Sequence, residues 1–143
     1  MSIKQISVFL ENKIGRLAEI TSLLEKENIN IRALAIADTT EFGILRMIVD
    51  KPEQAVKVLK DNGFAARDTE VIVVKVPDRP GGLAKILKML KESSLNVEYL
   101  YAFVKQSGED ALVVFRIDNI KEAINRFNQT GVETLKAEQI YKL

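Results

Sequence analysis

Two short turns carry the residues that could bind a small charged molecule. In "VPDRPGGLAKIL", an apolar run ends in a turn and an amphipathic segment follows; the turn contains Asp78, Arg79, Pro80, Gly81 and Gly82. A glycine lets the backbone approach a ligand closely, and the amides at the start of a helix can bind an anion. The stretch is therefore a candidate cradle for a phosphate or a carboxylate.

A second turn in "LENKIGRLAEIT" repeats this order of parts, with Gly15 in the place of Gly81. Nucleotide-binding loops need more glycines in fixed positions: G-x-x-x-x-G-K-[ST] for a Walker loop, or three spaced glycines for a dinucleotide fold. Neither pattern is present in this sequence. The turns consequently favour a small zwitterion over a nucleotide.

The composition excludes many kinds of chemistry. The 143 residues include neither cysteine nor histidine, which removes disulfides, thiol nucleophiles, imidazole bases and zinc-finger sites. Basic and acidic residues nearly balance, at 21 and 20, so no overall field would gather nucleic acid or an anionic membrane. The sequence also has no uncharged apolar run of about eighteen residues. We therefore expect a cytoplasmic protein that is not an enzyme and uses no cofactor or metal.

The sequence repeats itself over its whole length. Aligning Gly15 with Gly81 also aligns Leu24 with Leu90, and after a two-residue slip Asp50 meets Asp118. Length changes are tolerated in surface turns, so the slip predicts a hairpin tip near "DTTEFG" and near its counterpart "KQSGED". We predict two modules, residues 1–69 and 70–143, joined without a linker.

Each copy contains the order strand-helix-strand-strand-helix. β-Branched runs such as "EVIVVKV" predict strands, and apolar residues at three- and four-residue steps predict amphipathic helices. The second helices begin at "DKPE", with Asp50 as the cap, and at "NIKE". In copy two, "ETLKAEQIYKL" would be the last strand. In copy one, "FAARDTEVIVVKV" must be its last strand and also open copy two. The prediction is an α+β chain of two closely coupled ferredoxin-like βαββαβ modules, with antiparallel sheets and helices on one face, sharing a strand or exchanging a terminal one.

The strands are apolar on both faces. In "NIRALAIAD", one face would carry Ile31, Ala33, Ala35 and Ala37, and the other Leu34 and Ile36. Exposed apolar patches usually mark interfaces. We therefore expect the helix-free face to be buried against the other module or another chain, as in a homodimer; an apolar ligand groove is the alternative.

The two turns and their surroundings resemble tandem ACT domains. That family has an (Asn/Asp)-Arg-Pro-Gly-x-Leu turn after its first strand and an Asn-(Ile/Val) at the start of its second strand. Copy two matches closely in "PDRPGGLAKIL" and "LNV", whereas copy one keeps Asn12 and Gly15 but has Lys13 and Ile14 in place of Arg-Pro. The two copies cover essentially the whole chain.

The resemblance implies a regulatory protein that binds a small ligand, most often an amino acid, between paired modules, and that acts on a metabolic enzyme or transporter. The implied ligand-binding residues are Glu11, Asn12, Ile14, Gly15 and Asn30 in copy one, and Asp78, Arg79, Pro80, Gly81, Gly82 and Asn96 in copy two. Each residue also has a purely structural explanation, because turns and helix ends favour these residue types.

Three other functions compete with this interpretation. RNA-recognition modules share the βαββαβ order, and Tyr99, Tyr101 and Phe103 form an alternating aromatic row, but the third strands lack the aromatic RNP pattern. Acylphosphatase shares the topology as well, yet strand three offers no Asn beside Arg16 or Arg79. A ligand-free assembly subunit of a metabolic enzyme stays open.

Overall fold

The protein is described by a computed structural model that covers residues 2–38, 41–103 and 108–143. Both predicted hairpin tips, "DTTEFG" and "KQSGED", therefore fall partly outside the described residues. The chain divides into two compact units. We call Lys4–Thr69 with Ile140–Leu143 the N-terminal unit, and Glu70–Gln139 with Met1–Ile3 the C-terminal unit.

The N-terminal unit contains one complete βαββαβ module. Its elements are β1 (Ile3–Glu11), α1 (Arg16–Lys26), β2 (Ile31–Asp38), β3 (Phe42–Val49), α2 (Pro52–Asp61) and the first part of β4 (Ala65–Pro77). The strand order is β2-β3-β1-β4, and β3 pairs antiparallel with both β2 and β1.

The C-terminal unit repeats the same order from β4 onward. Its further elements are α3 (Gly82–Glu92), β5 (Val97–Ala102), β6 (Asp110–Ile117), α4 (Ile120–Thr130) and the short α5 (Ala137–Tyr141), which ends in the other unit. The strands follow the order β4-β6-β5 with antiparallel pairing. The predicted ferredoxin-like modules with antiparallel sheets are thus confirmed.

Strand β4 is shared by the two units, as the sequence predicted. The division between the units falls between Thr69 and Glu70, inside this single strand of 13 residues. Four consecutive residues, Val71–Val74, are all buried. A strand buried on both faces has no polar alternation, which explains the unbroken apolar run in the sequence.

Each unit has its own apolar core between its sheet and its helices. In the N-terminal unit, Val8 of β1 packs with Leu24 of α1 and Leu59 of α2. In the C-terminal unit, Phe115 of β6 meets Phe127 of α4 with ring centroids 6.5 Å apart. The helices of each unit therefore cover one face of its sheet, as predicted.

The sequence predicted that Ile31 shares a face of β2 with Ala33, and this prediction is wrong. A register irregularity lies between Ile31 and Ala33, so that Ile31 pairs with Val49 while Ala33 pairs with Ile48. Ile31 packs against the core beneath the helices. A bulge moves following side chains to the opposite face, which strict alternation along the sequence cannot anticipate.

The predicted last strand of copy two is also wrong for most of its length. Only Thr134 forms a β-bridge, to Val74, and the chain then turns into α5. Ala137 and Ile140 are both buried and lie three residues apart, which suits a helix and not a strand. The side-chain oxygen of Gln139 accepts a hydrogen bond from the Lys136 amide at 2.8 Å and so holds the first turn.

Asp50 and Asp118 each form hydrogen bonds to a neighbouring strand. The sequence predicted instead that Asp50 would cap α2. Asp50 does not cap α2; its Oδ1 accepts a hydrogen bond from the Asn30 amide at 2.9 Å, and its own amide donates to the Asn30 carbonyl. Asp118 makes the same two contacts with Asn96. Only the second cap is as predicted, since Asn119 accepts from the Glu122 amide. Each aspartate thus links the start of an edge strand to the end of the strand beside it: Asp50 links β2 to β3, and Asp118 links β5 to β6.

Among the described residues, no helix is long and apolar enough to cross a membrane.

Replacing Asp50 or Asp118 with alanine should lower the free energy of unfolding by about 1 kcal/mol, the net value of one hydrogen bond. Urea unfolding followed by circular dichroism measures the change. Asp61→Ala is the control, because among the described residues its carboxylate contacts Lys57 in an exposed ion pair, and its loss should change stability by less than about 0.5 kcal/mol. Equal losses in all three variants would contradict the assigned contacts.

Candidate ligand-binding site

The two glycine turns have nearly identical backbones. Gly15 precedes α1 with φ of 88° and ψ of −10°, and Gly81 precedes α3 with φ of 86° and ψ of −10°. Residues other than glycine rarely adopt these left-handed backbone angles, so glycine is strongly favoured at both positions. The repeat seen in the sequence is therefore a repeat of backbone geometry.

Both helices begin without a side-chain cap. In the C-terminal unit, the Gly82 amide donates to the Arg79 carbonyl at 3.0 Å and the Lys85 amide to the Gly81 carbonyl at 3.0 Å. Within the described chain, the amides of the two residues between, Leu83 and Ala84, have no acceptor, and the same holds for Leu17 and Ala18 in the N-terminal unit. Such amides, with the positive end of the helix dipole, are suited to a carboxylate.

The turns differ at the first residue of the helix. Gly82 is buried, and a Cβ built on it would overlap the carbonyl oxygen of Pro77 at the end of β4. The corresponding residue in the N-terminal unit is Arg16, which carries a full side chain. Glycine at position 82 is thus required by the close approach of α3 to β4.

The substitution Gly82→Ala should destabilise the protein by about 1 to 3 kcal/mol, the usual cost of overpacking. Thermal or urea unfolding would show the loss. Arg16→Ala puts the same residue at the equivalent position of the other unit and should be much better tolerated. A Gly82→Ala variant as stable as the parent would show that the helix moves away from β4 at little cost.

A groove of about 770 Å³ lies beside the turn of the C-terminal unit. This volume lies within the range of small-molecule sites. The groove is formed by the end of β4, the turn, one side of α3 and the chain that leaves α4. Its charged lining residues are Lys75, Arg79, Lys85, Lys88, Glu92, Asp110 and Glu133.

Most of the positive charges in this groove have no partner among the residues that the structure describes. Lys75 pairs with Glu133 at 3.0 Å. Within the described residues, Arg79, Lys85 and Lys88 form neither an ion pair nor a side-chain hydrogen bond. Ile86 and Met89 add an apolar wall. The groove therefore combines cations, carboxylates and an apolar surface, which together suit a zwitterion with a side chain.

The turn of the N-terminal unit neutralises its own charges. The Glu11 carboxylate binds Lys13 Nζ at 2.6 Å and lies 3.7 Å from a terminal nitrogen of Arg16. Arg16 also pairs with Glu19 at 3.3 Å. The hydrogen bond from Lys13 and the charge of Lys13 lower the pKa of the Glu11 carboxyl; desolvation opposes them, and the charge of Arg16 adds to the lowering. The neighbouring cavity, which Glu11 and Arg16 line together with Phe9 and Phe42, is smaller, at about 230 Å³.

The pKa of Glu11 should therefore lie below that of an unperturbed glutamate, and Lys13→Met should raise it. Since the folded-state pKa is lowered, the stabilisation is fully present above the ordinary carboxyl pKa and disappears as the pH falls through the lower folded value. NMR titration of the side-chain carboxyl carbons measures this pKa. Lys26→Met removes an exposed lysine elsewhere and should leave it unchanged; a shift of equal size in both variants would contradict the pairing.

The structure places the eleven predicted site residues in two regions of each unit. Glu11 pairs with Phe42 at one end of β3, whereas Ile31, which follows Asn30, pairs with Val49 at the other end. Eight strand residues span roughly 25 Å. Asn30 is therefore distant from Glu11, Asn12, Ile14 and Gly15 of its own unit.

The C-terminal unit has the same arrangement. Pro77 pairs with Asp110 at one end of β6, and Val97, next to Asn96, pairs with Ile117 at the other. The turn residues Asp78 to Gly82 lie together at the first end. A second cavity of about 380 Å³ touches Asp78 and Arg79 there, on the side of Gly108 and Glu109.

The sequence interpretation missed the residues that complete the groove. These are Lys75, Lys85, Lys88, Met89, Glu92, Asp110 and the segment 130–133. The charged face of α3 was visible as lysines between apolar positions. The end of α4 could not be assigned to the site without the fold, because it is distant from the turn in the sequence.

The aromatic row on β5 is not available for base stacking. Tyr101 and Phe103 are buried, with 8% and 9% of their surface exposed. Tyr99 and Tyr101 pair with Arg116 and Val114 of β6. Packing therefore accounts for these aromatic residues.

Two ferredoxin-like modules, each with a glycine turn that leads into an uncapped helix, define the fold class of this chain. A family model for the ACT domain pair matches residues 1–143. The chain belongs to this family.

Solved structures share this fold. A protein from Bacteroides thetaiotaomicron is 46% identical, with a TM-score of 0.93 over 100% of this chain and 98% of that one. The ligand-free regulatory subunit of aspartate kinase from Thermus thermophilus has the same fold at 16% identity, with a TM-score of 0.65 over 90% of this chain and 93% of that one. The regulatory subunit of aspartate kinase from Thermus flavus is 15% identical, with a TM-score of 0.63 and coverages of 90% and 92%. A comparison with curated proteins gave no match.

Proposed function

We propose that this protein is a non-catalytic regulator that binds an amino acid in the groove of the C-terminal unit. The observation that carries the proposal is the cluster of Arg79, Lys85 and Lys88, which have no partner among the described residues, beside the start of α3. The ACT domain pair family supplies the regulatory context.

The groove offers a partner for each group of an amino acid. Arg79 and Lys85 would bind the carboxylate, together with the amides at the start of α3. Asp110 or Glu92 would accept the ammonium group. Ile86 and Met89 would contact an apolar side chain, since methionine adapts to irregular shapes.

The regulatory role follows from linkage. A ligand that binds the folded protein stabilises it, by about 2.7 kcal/mol at a concentration one hundred times its Kd. It also favours whichever arrangement of the protein binds it best, and a partner that distinguishes the arrangements then responds to the ligand. Two proteins with this fold are regulatory subunits of aspartate kinase, which supports a metabolic enzyme as the partner.

The charged lining of the groove consists of lysine, arginine, aspartate and glutamate side chains. Its nitrogen bases are lysine and arginine, and the sequence has neither histidine nor cysteine. Lysine and arginine side chains bind anions such as carboxylates. These residue types support binding without chemical change of the ligand.

A thermal-shift screen of the twenty amino acids, followed by calorimetry, tests the proposal. We expect at least one amino acid to raise the melting temperature at millimolar concentration. Lys85→Met should weaken that binding, by about threefold to tenfold if one charge-assisted contact is lost. Lys121→Met is the matched control, because Lys121 is exposed on α4 and does not line the groove. No stabilisation by any amino acid, or equal weakening by both variants, would refute the proposal.

A ligand-free assembly subunit is the second candidate. It is favoured by Phe9 and Phe42, which are 53% and 55% exposed on the helix-free face, where Phe42 lies opposite Glu11. A second copy of the chain or a partner enzyme would cover these rings. The same screen separates the candidates, since an assembly subunit would sediment as an oligomer and gain no stability from any amino acid.

A further inference from the structure

The C-terminal end of α2 carries an Asn-Gly pair, Asn62 and Gly63. Of the eight asparagines in the sequence, this is the one that a glycine follows. The others precede isoleucine, valine, lysine, arginine or glutamine, whose side chains shield the next backbone nitrogen. Because glycine has no Cβ, its nitrogen can closely approach the side chain of the preceding residue. Asn62 is therefore the asparagine whose side-chain amide is most open to attack by the backbone.

The folded chain uses this pair to end the helix. Gly63 has a φ of 84°, and the Phe64 amide donates to the Leu59 carbonyl at 3.0 Å. Glycine is favoured at such a left-handed position after a helix. Asn62 Nδ2 donates to the Val58 carbonyl at 2.8 Å and so satisfies a carbonyl of the last turn. The residues that end α2 are thus the residues that can react with each other.

The C-terminal unit ends α4 in the same way without a reactive amide. Gly131 has a φ of 74°, and the Val132 amide donates to the Phe127 carbonyl at 3.0 Å. The residue before this glycine is Thr130, whose hydroxyl donates to the Arg126 carbonyl at 2.8 Å. A hydroxyl thus replaces the side-chain amide as the donor, so this step of the fold does not require asparagine.

We propose that Asn62–Gly63 is a modification site that converts spontaneously to aspartate and isoaspartate, and that the folded end of α2 restrains the reaction. The Gly63 backbone nitrogen attacks the side-chain amide carbon of Asn62. The new N–C bond closes a succinimide ring, while the bond to the side-chain nitrogen breaks and ammonia leaves with the proton of the Gly63 amide. Water then opens the ring at either of its carbonyl groups, which gives aspartate or isoaspartate.

The folded structure keeps the two reacting groups apart. The Gly63 amide donates to the Lys60 carbonyl at 3.1 Å, and the side-chain amide of Asn62 is held by the Val58 carbonyl. The backbone ψ of Asn62 is 18°, which turns the Gly63 nitrogen away from the side chain. Ring closure requires both contacts and this angle to change, so it occurs in molecules in which the end of α2 has opened. Helix ends open locally at a lower free energy than the whole domain.

The products weaken the same helix end. A carboxylate at position 62 cannot donate to the Val58 carbonyl, and its negative charge opposes the helix dipole at the C-terminal end of α2. Isoaspartate also lengthens the backbone just before Phe64, which packs against the apolar core. Asn62 and Gly63 line the cavity of about 230 Å³, so the new charge lies at its wall. The reaction therefore marks and destabilises chains in which this helix end has opened.

Mass spectrometry of proteolytic peptides tests the proposal. The full chain is incubated folded in buffer and unfolded in guanidinium chloride at the same pH and temperature. Exchange of –NH2 for –OH is followed at each asparagine, and isoaspartate is identified by enzymatic methylation. In the unfolded chain we expect position 62 to react faster than every other asparagine, and in the folded chain at least about tenfold more slowly than in denaturant. No reaction at Asn62 in denaturant, or equal rates in the two states, would overturn the proposal.

The variant Phe64→Ala tests whether local opening controls the rate. It removes the apolar contact behind the helix end and leaves the Asn-Gly pair intact. The folded-state rate at Asn62 should rise by about threefold or more, with no change in denaturant. Val132→Ala is the control, because it removes the apolar residue at the equivalent position of the other unit and should leave this rate unchanged. A rise of equal size in both variants would contradict the local restraint.

Two substitutions at position 62 separate the cap from the reaction. Asn62→Thr copies Thr130 and should keep the melting temperature of the parent while it abolishes the reaction at this position. Asn62→Asp reproduces one product and should lower the melting temperature by about 2–4 °C, since the donor is lost and the charge opposes the helix dipole. An Asn62→Asp variant as stable as Asn62→Thr would contradict the assigned effect of the modification.

Discussion

The structure depends on one strand that belongs to two modules. A split βαβ module needs a last strand beside its first, and this chain has no linker in which to place separate strands. β4 resolves the shortage, since its residues up to Thr69 belong to one unit and those from Glu70 to the other. The requirement explains why Val71–Val74 are buried without alternation.

The end of β4 also determines the shape of the candidate site. α3 begins so close to Pro77 that the residue at position 82 must lack a side chain. In the N-terminal module, the corresponding turn runs from Glu11 to Arg16. The charges of these two residues neutralise each other. Two modules with one backbone therefore differ in their electrostatics through a few exchanged side chains.

The sequence predicted the repetitive parts of the fold because their signals are local and occur twice. Strand and helix periodicities, the glycines at 15 and 81 and the shared strand all follow from short-range patterns. The errors occurred where tertiary contacts override such patterns. The bulge at Ile31 changes a face, Asp50 binds a neighbouring strand instead of its own helix, and Ala137 and Ile140 are buried on a helix where a strand was expected.

The amino-acid sequence by itself determined the family, the two modules and the turns that could approach a ligand, because glycine, proline and the apolar periodicities act within a few residues along the chain. Only the tertiary structure decided which charges remain available. The pairing of Glu11 with Lys13, the lack of a partner for Arg79 among the described residues, and the meeting of α3 with the end of α4 depend on distances in space. The residue types suitable for binding can be read from a sequence, but their neutralisation by neighbours is a property of the folded chain.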